Sequence, residues 1–157
     1  MQHDHVEQRL RKLGLKLPQP ARPGAEYVPT KRIGNLLFLS GQGPIRNGVP
    51  LVVGQVGGDL TLEQGAEAAR LATLNALAAI REAVGSLDCV EEVVQVRGFV
   101  NSAPGFFQQP QVMNAASELL VAVFGDRGRH ARCALGTSSL PHNIPVEIEM
   151  IVSIAAE

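Results

Sequence analysis

Ala131-Arg132-Cys133-Ala134-Leu135-Gly136, then Leu140-Pro141-His142-Asn143, then Pro145-Val146-Glu147-Ile148-Glu149-Met150-Ile151-Val152 form the stretch that decides the fold. The first piece reads as a short extended run and the second as a turn. The third alternates apolar and acidic residues with the period of a strand. A short turn between two strands predicts antiparallel neighbours, with Arg132 on one facing Glu147 on the next. Small residues around the arginine (Ala131, Ala134, Gly136) leave room beside its guanidinium. That rigid fork matches a carboxylate through two parallel hydrogen bonds, which a lysine does not reproduce. A small carboxylate is the first substrate class this implies.

Working outward, Val90 to Asn101 is β-branched and nearly uninterrupted, as expected of a central strand. A helix is predicted from about Pro110 to Phe124, with Val112, Ala116, Leu119, Leu120 and Val123 inward and Gly125 as terminator. Thr61-Leu62-Glu63-Gln64 is a capping box, opening a helix that carries Ala66, Ala69, Thr73, Ala76, Ile80 and Val84 on one face and ends at Gly85. Two strands, Tyr27 to Arg32 and Asn35 to Ser40, precede it, and the run Leu36-Leu37-Phe38-Leu39 predicts burial of the second on both faces. Gly41 to Asp59 is glycine-rich and loop-like, with a short strand at Leu51-Val52-Val53. At the N-terminus Val6, Leu10 and Leu13 recur at helical spacing before Gly14, predicting about three turns. Pro18, Pro20 and Pro23 then impose a stiff linker. The chain divides into a helix and proline-rich linker, 1–24, and one α+β domain, 25–157. Strand–helix–strand crossovers favour parallel neighbours, so the sheet is mixed, with two helices packed on one face.

A chain of 157 residues with 45% apolar content is one soluble domain with a core of its own. A net charge of −1 gives no basic footprint for nucleic acid. No apolar run approaches the roughly 20 residues that span a bilayer. The first residues carry no h-region of a secretory signal. Cys89 and Cys133 are too few for a disulfide framework or a zinc site. These features place the protein in a reducing cytoplasm.

Several side chains are candidates for chemistry, each with a plainer role beside it. Arg132 is either a carboxylate clamp or an exposed strand residue. Glu147 and Glu149 share one face of the last strand, a solvated face by default. Ser40-Gly41-Gln42 ends a strand, where a site or a mere turn can form. Asn114 either lines a site or ties down a loop, and Tyr27 either lines a pocket or packs. His3 and His5 flank Asp4, a thin pattern for a metal, and His130 and His142 have no serine or cysteine partner at a telling spacing. Cys133 points away from Arg132 on a strand and reads as a buried structural thiol. Gly54-Gln55-Val56-Gly57-Gly58 lacks the lysine and helix of a phosphate loop.

Tyr27-Val28 and Gly34-Asn35-Leu36-Leu37-Phe38-Leu39-Ser40-Gly41-Gln42-Gly43-Pro44 resemble the N-terminal motif of the RidA/YjgF family of enamine/imine deaminases. Ala131-Arg132-Cys133, Leu140-Pro141 and Val146-Glu147-Ile148-Glu149 resemble its C-terminal signature, and Leu74-Asn75-Ala76-Leu77 and Met113-Asn114-Ala115 fall where similar helices occur. The resemblance spans Tyr27 to Ile154. It implies a chorismate-mutase-like fold, assembled as a homotrimer with three pockets at subunit interfaces. Arg132 would hold the substrate carboxylate and Glu147 would position or activate water, with Tyr27, Ser40 and Asn114 lining the pocket. The implied reaction hydrolyses 2-imino or enamino acids to 2-oxo acids and ammonia, without metal or cofactor. Relatives also carry the older names of translation inhibitor and endoribonuclease. Two features depart from the pattern. Ala134 stands where deaminases of the family often have a cysteine, and residues 1–24 and Ser102 to Gln111 are extra. The alternative is a non-catalytic module of the same family that senses a 2-oxo acid through Arg132.

Overall fold

The computed structural model describes residues 5–156, so His3 and Asp4 of the N-terminal histidine pattern lie outside the described residues. In chain order the elements are α1 (Val6–Lys12), β1 (Thr30–Ile33), β2 (Leu36–Leu39), β3 (Ile45–Arg46), β4 (Val49–Pro50), α2 (Leu62–Val84), β5 (Val90–Asn101), α3 (Gln109–Phe124), β6 (Ala131–Thr137) and β7 (Val146–Ile154). The capping box works as read: Gln64 N–H donates to Thr61 Oγ1 at 3.1 Å and Thr61 N–H donates to Gln64 Oε1 at 2.9 Å. Gly85 ends α2 at φ 84° and Gly125 ends α3 at φ 66°, both in the left-handed region where a side chain is strained.

Five strands form one sheet in the order β1-β2-β7-β5-β6, every pairing antiparallel except β5 with β6. The helix crossover between β5 and β6 makes that pair parallel, as expected. Strand β7 alternates without a break, and Val146, Ile148, Met150, Val152 and Ile154 are buried against the helices. Alanines on α2 and the apolar face of α3 complete that core, which also takes in Val6 and Leu10 of α1. Both long helices lie on one face of a mixed sheet, the α+β architecture read from the sequence.

Several expectations are corrected. Strands β6 and β7 are not neighbours, because β5 lies between them. A 3-10 turn at Pro141–Asn143 carries the chain over the end of β5, with His142 and Asn143 both at φ 57°. Arg132 is therefore paired with Val96 and Glu147 with Phe99, and neither faces the other. Strand β2 is buried on one face only. Phe38 is 38% exposed because no helix covers the second face. Leu51 to Val53 is not a strand. The hairpin is β3–β4, turned by Asn47 (φ 52°) and Gly48 (φ 77°), a dipeptide suited to a tight turn. Strand β1 starts at Thr30, leaving Tyr27 in a bend. The first helix has 7 residues and leaves Leu13 exposed. Cys133 is exposed rather than buried, since it lies on the uncovered face of an edge strand.

Gly98 on β5 lies beneath Met113 of α3, and a Cβ there would overlap Met113 Sδ and Cε. Gly98→Ala is expected to lower stability by roughly 1–3 kcal/mol through overpacking. Urea denaturation checks this. In Gly98→Ala/Met113→Ala the two losses are expected to sum to less than the singles, because the shortened side chain frees the space.

Candidate functional site

Arg132 sits on the edge strand β6 at the register of Val96, whose side chain is fully buried, so its own side chain emerges beneath α3. Arg132 Nη1 donates to Asn114 Oδ1 at 3.0 Å and to Ser117 Oγ at 3.2 Å. Those two residues stand three apart on α3 and so share a face. Ser117 Oγ is also 2.9 Å from His130 Nε2, and His130 Nδ1 is 2.6 Å from the Gly128 carbonyl. Among the described residues no carboxylate pairs with Arg132, and its Nε and Nη2 find no partner. A cation held by two neutral acceptors keeps its charge for a ligand.

Glu147 lies on the opposite, uncovered face. Phe99 and Val96 stand an odd number of residues apart on β5 with no bulge between them, so their β7 and β6 partners project to opposite sides. Laterally Arg132 and Glu147 are two strand spacings apart, about 10 Å. Burial pushes the Glu147 carboxyl above its ordinary value of 4.5, and the neighbouring charge of Glu149 pushes the same way. Glu149 itself is ion-paired with Arg97, directly opposite on β5.

The Ser40-Gly41-Gln42 motif is built around that carboxyl. Strand β2 pairs with β7 at Phe38↔Ile151, but Gln42 pairs with Ile148, a one-residue shift that makes Ser40 and Gly41 bulge. Gln42 N–H donates to Ile148 O at 2.7 Å and Ile148 N–H returns a bond at 2.8 Å. A Cβ at Gly41 would lie 2.8 Å from Glu147 Cδ, so any larger residue would push this carboxyl aside. Ser40 Oγ donates to Val28 O at 2.6 Å and Ser40 N–H to Pro29 O at 2.9 Å, which ties the segment bearing Tyr27 to the same end of the sheet. Tyr27 is itself 56% exposed.

The candidate residues thus divide into two half-sites: Arg132 with Asn114 beneath α3, and on the uncovered face Glu147, against which the backbone of Gly41 rests. Ser40 and Tyr27 are tied to that end of the sheet through the chain and not to the carboxyl itself. Sequence reading missed Ser117, and it set His130 aside for want of a serine partner, which the structure supplies in Ser117. The helical step from Asn114 to Ser117 was available as a signal, and the contact to His130 was not. Among the described residues no group of three or more His, Cys, Asp or Glu gathers as a metal site, and no helix is long and apolar enough to cross a membrane.

A five-stranded mixed sheet with two long helices on one face is the chorismate-mutase-like fold. The chain belongs to the family described as "YjgF/chorismate mutase-like, putative endoribonuclease", whose model matches residues 7–154. It is 41% identical over 150 residues to Protein TCP17 of Trypanosoma cruzi, covering 95% of this chain and 94% of that one. A solved structure of unknown function from Agrobacterium tumefaciens is 44% identical with a TM-score of 0.89, covering 96% of this chain and 92% of its own. One from Shewanella oneidensis, titled a "putative endoribonuclease", is 34% identical with a TM-score of 0.92, covering 96% and 100%. These relatives match almost the whole chain, so they share the region around α1.

The folded chain holds the Glu147 proton more tightly than the unfolded chain does. Its contribution to stability is therefore greatest in acid and falls as pH rises from 4.5 through the raised folded value. Glu147→Gln is expected to remove that fall, so the variant gains on wild type as pH rises above 4.5. Urea midpoints across that range test it, and a pH-independent difference would count against the raised value.

Proposed function

We propose that this protein hydrolyses a 2-imino or enamino acid to the 2-oxo acid and ammonia. One observation carries the reading: Arg132 is held by Asn114 and Ser117, with no carboxylate partner and an open Nε–Nη2 edge among the described residues. That edge is a docking point for a small carboxylate. An imine beside such a carboxylate is already electrophilic, so catalysis needs orientation and a placed water. Water adds to the C=N carbon, a proton passes to nitrogen, and the carbinolamine expels ammonia as its hydroxyl becomes the ketone. Glu147, with its raised pKa, is suited to take the proton from water and return it to the leaving nitrogen.

The two half-sites lie on opposite faces of one protomer, so the working pocket needs a second copy. Three copies around an axis, as the family resemblance implies, would bring Arg132 of one against Glu147 of the next. The uncovered sheet face, with Phe38 and Leu135 exposed upon it, is the surface such an assembly would use. On this reading the cysteine position occupied by Ala134 is dispensable, since orientation rests on the arginine and proton transfer on the glutamate.

The test is imine loss with 2-iminobutanoate generated in situ. Arg132→Ala is expected to raise KM and lower kcat/KM by about 10²-fold or more. Glu147→Gln is expected to lower kcat by about 10²-fold. Co-expressing the two inactive variants is expected to restore activity at roughly one site in four, because mixed assemblies pair an intact arginine with an intact glutamate. Wild type no faster than buffer, yet binding 2-oxobutanoate, would replace the enzyme reading with a sensing module.

A further inference from the structure

Beside Arg132 runs a hydrogen-bond chain that imine hydrolysis does not itself demand. The Gly128 carbonyl can only accept, so His130 Nδ1, 2.6 Å away, carries the ring hydrogen. In the neutral imidazole Nε2 then holds a lone pair, and the Ser117 hydroxyl donates to it across 2.9 Å. A serine inside a helix would otherwise turn its hydroxyl back to the carbonyl one turn earlier. His130 draws it off and leaves the Ser117 oxygen to accept from Arg132 Nη1 at 3.2 Å. Asn114 Oδ1 takes the second Nη1 hydrogen at 3.0 Å. Both hydrogens of Nη1 are spent. Nε–H and Nη2–H lie along one edge of the guanidinium and are unpartnered among the described residues.

We propose that Ser117 and His130 are positioning residues that lock Arg132 so that a carboxylate docks side-on across Nε and Nη2. This rests on the reading of Arg132 as a carboxylate clamp. Neither residue touches the ligand. They act by removing rotamer freedom from a long side chain before binding, so less entropy is lost when the carboxylate arrives. An end-on approach across Nη1 and Nη2 is blocked, because Nη1 has no hydrogen to give.

Calorimetric binding of 2-oxobutanoate tests this whether or not the protein is an enzyme. Ser117→Ala and His130→Ala are each expected to weaken binding roughly tenfold. The double variant is expected to lose little more than either single, since the two act as one chain. His130→Gln, whose Oε1 can occupy the Nε2 position and accept the serine proton, is expected to recover most of the affinity, a rescue that a merely structural histidine would not show. With the imine substrate the loss is expected in KM and not in kcat. If Arg132→Ala abolishes binding while Ser117→Ala and His130→Ala bind as wild type, the positioning role fails and the clamp survives. Unchanged binding by Arg132→Ala sinks the clamp itself. A complex with the carboxylate across Nη1 and Nη2 would also overturn the side-on geometry.

Discussion

Asn101, wholly buried at the end of β5, is the constraint on which the rest depends. Its side-chain amide donates to Asn143 Oδ1 and to the Ile144 carbonyl, each at 3.2 Å. Its backbone N–H donates to Pro145 O at 2.9 Å, and its carbonyl accepts from Val56 at 2.8 Å. One residue thus fastens the 3-10 turn, the start of β7 and the loop before α2 to the end of β5. Held there, the chain leaving β6 must pass over β5 and descend on its far side. A buried amide left without those partners would cost on the order of 1–3 kcal/mol. The crossing is therefore specified, and with it the separation of Arg132 from Glu147.

That crossing also marks where the sequence stops being legible. The capping box, the bounds of Val90–Asn101, the glycine stops at 85 and 125 and the alternation of β7 are local signals, and the structure carries them all. Which strands are neighbours is not local. A short turn after Thr137 is equally compatible with a hairpin and with a hop over one strand, and Asn101 decides between them from well upstream. Exposure of Phe38 and Cys133 went unread for a related reason: strand periodicity tells which residues share a face, not which face a helix will cover. At the site, Arg132 could be read from its small neighbours. The Ser117–His130 contact could not, because it joins a helix to the lead-in of a strand through tertiary packing.

Register then sorts the charges. Arg97 and Glu149 lie directly opposite one another on β5 and β7, and they pair. Glu147, one pleat further along the same face, is opposite Phe99 and finds no cation there. Burial then acts on its carboxyl without compensation, and the Glu149 charge adds to the effect. Arg132 is denied a counter-ion by being on the other face. Among the described residues neither Arg132 nor Glu147 finds a counter-ion, because the sheet keeps them apart, an arrangement that the assembly proposed above would put to use.

The choice of neutral partners around Arg132 follows the same logic. A carboxylate in place of Asn114 or Ser117 would orient the guanidinium at least as firmly, since charge-assisted bonds are the stronger kind. It would also cancel the field that an incoming carboxylate needs and compete with it for the same hydrogens. An amide oxygen and a hydroxyl accept one hydrogen each from Nη1 and leave the net charge intact. The histidine extends this economy one step outward. Its ring aligns the hydroxyl by accepting a hydrogen bond from it, and its own N–H is satisfied by a backbone carbonyl. Orientation is obtained without neutralisation, and in the proposed reading that is what lets one arginine on an edge strand select a small carboxylate.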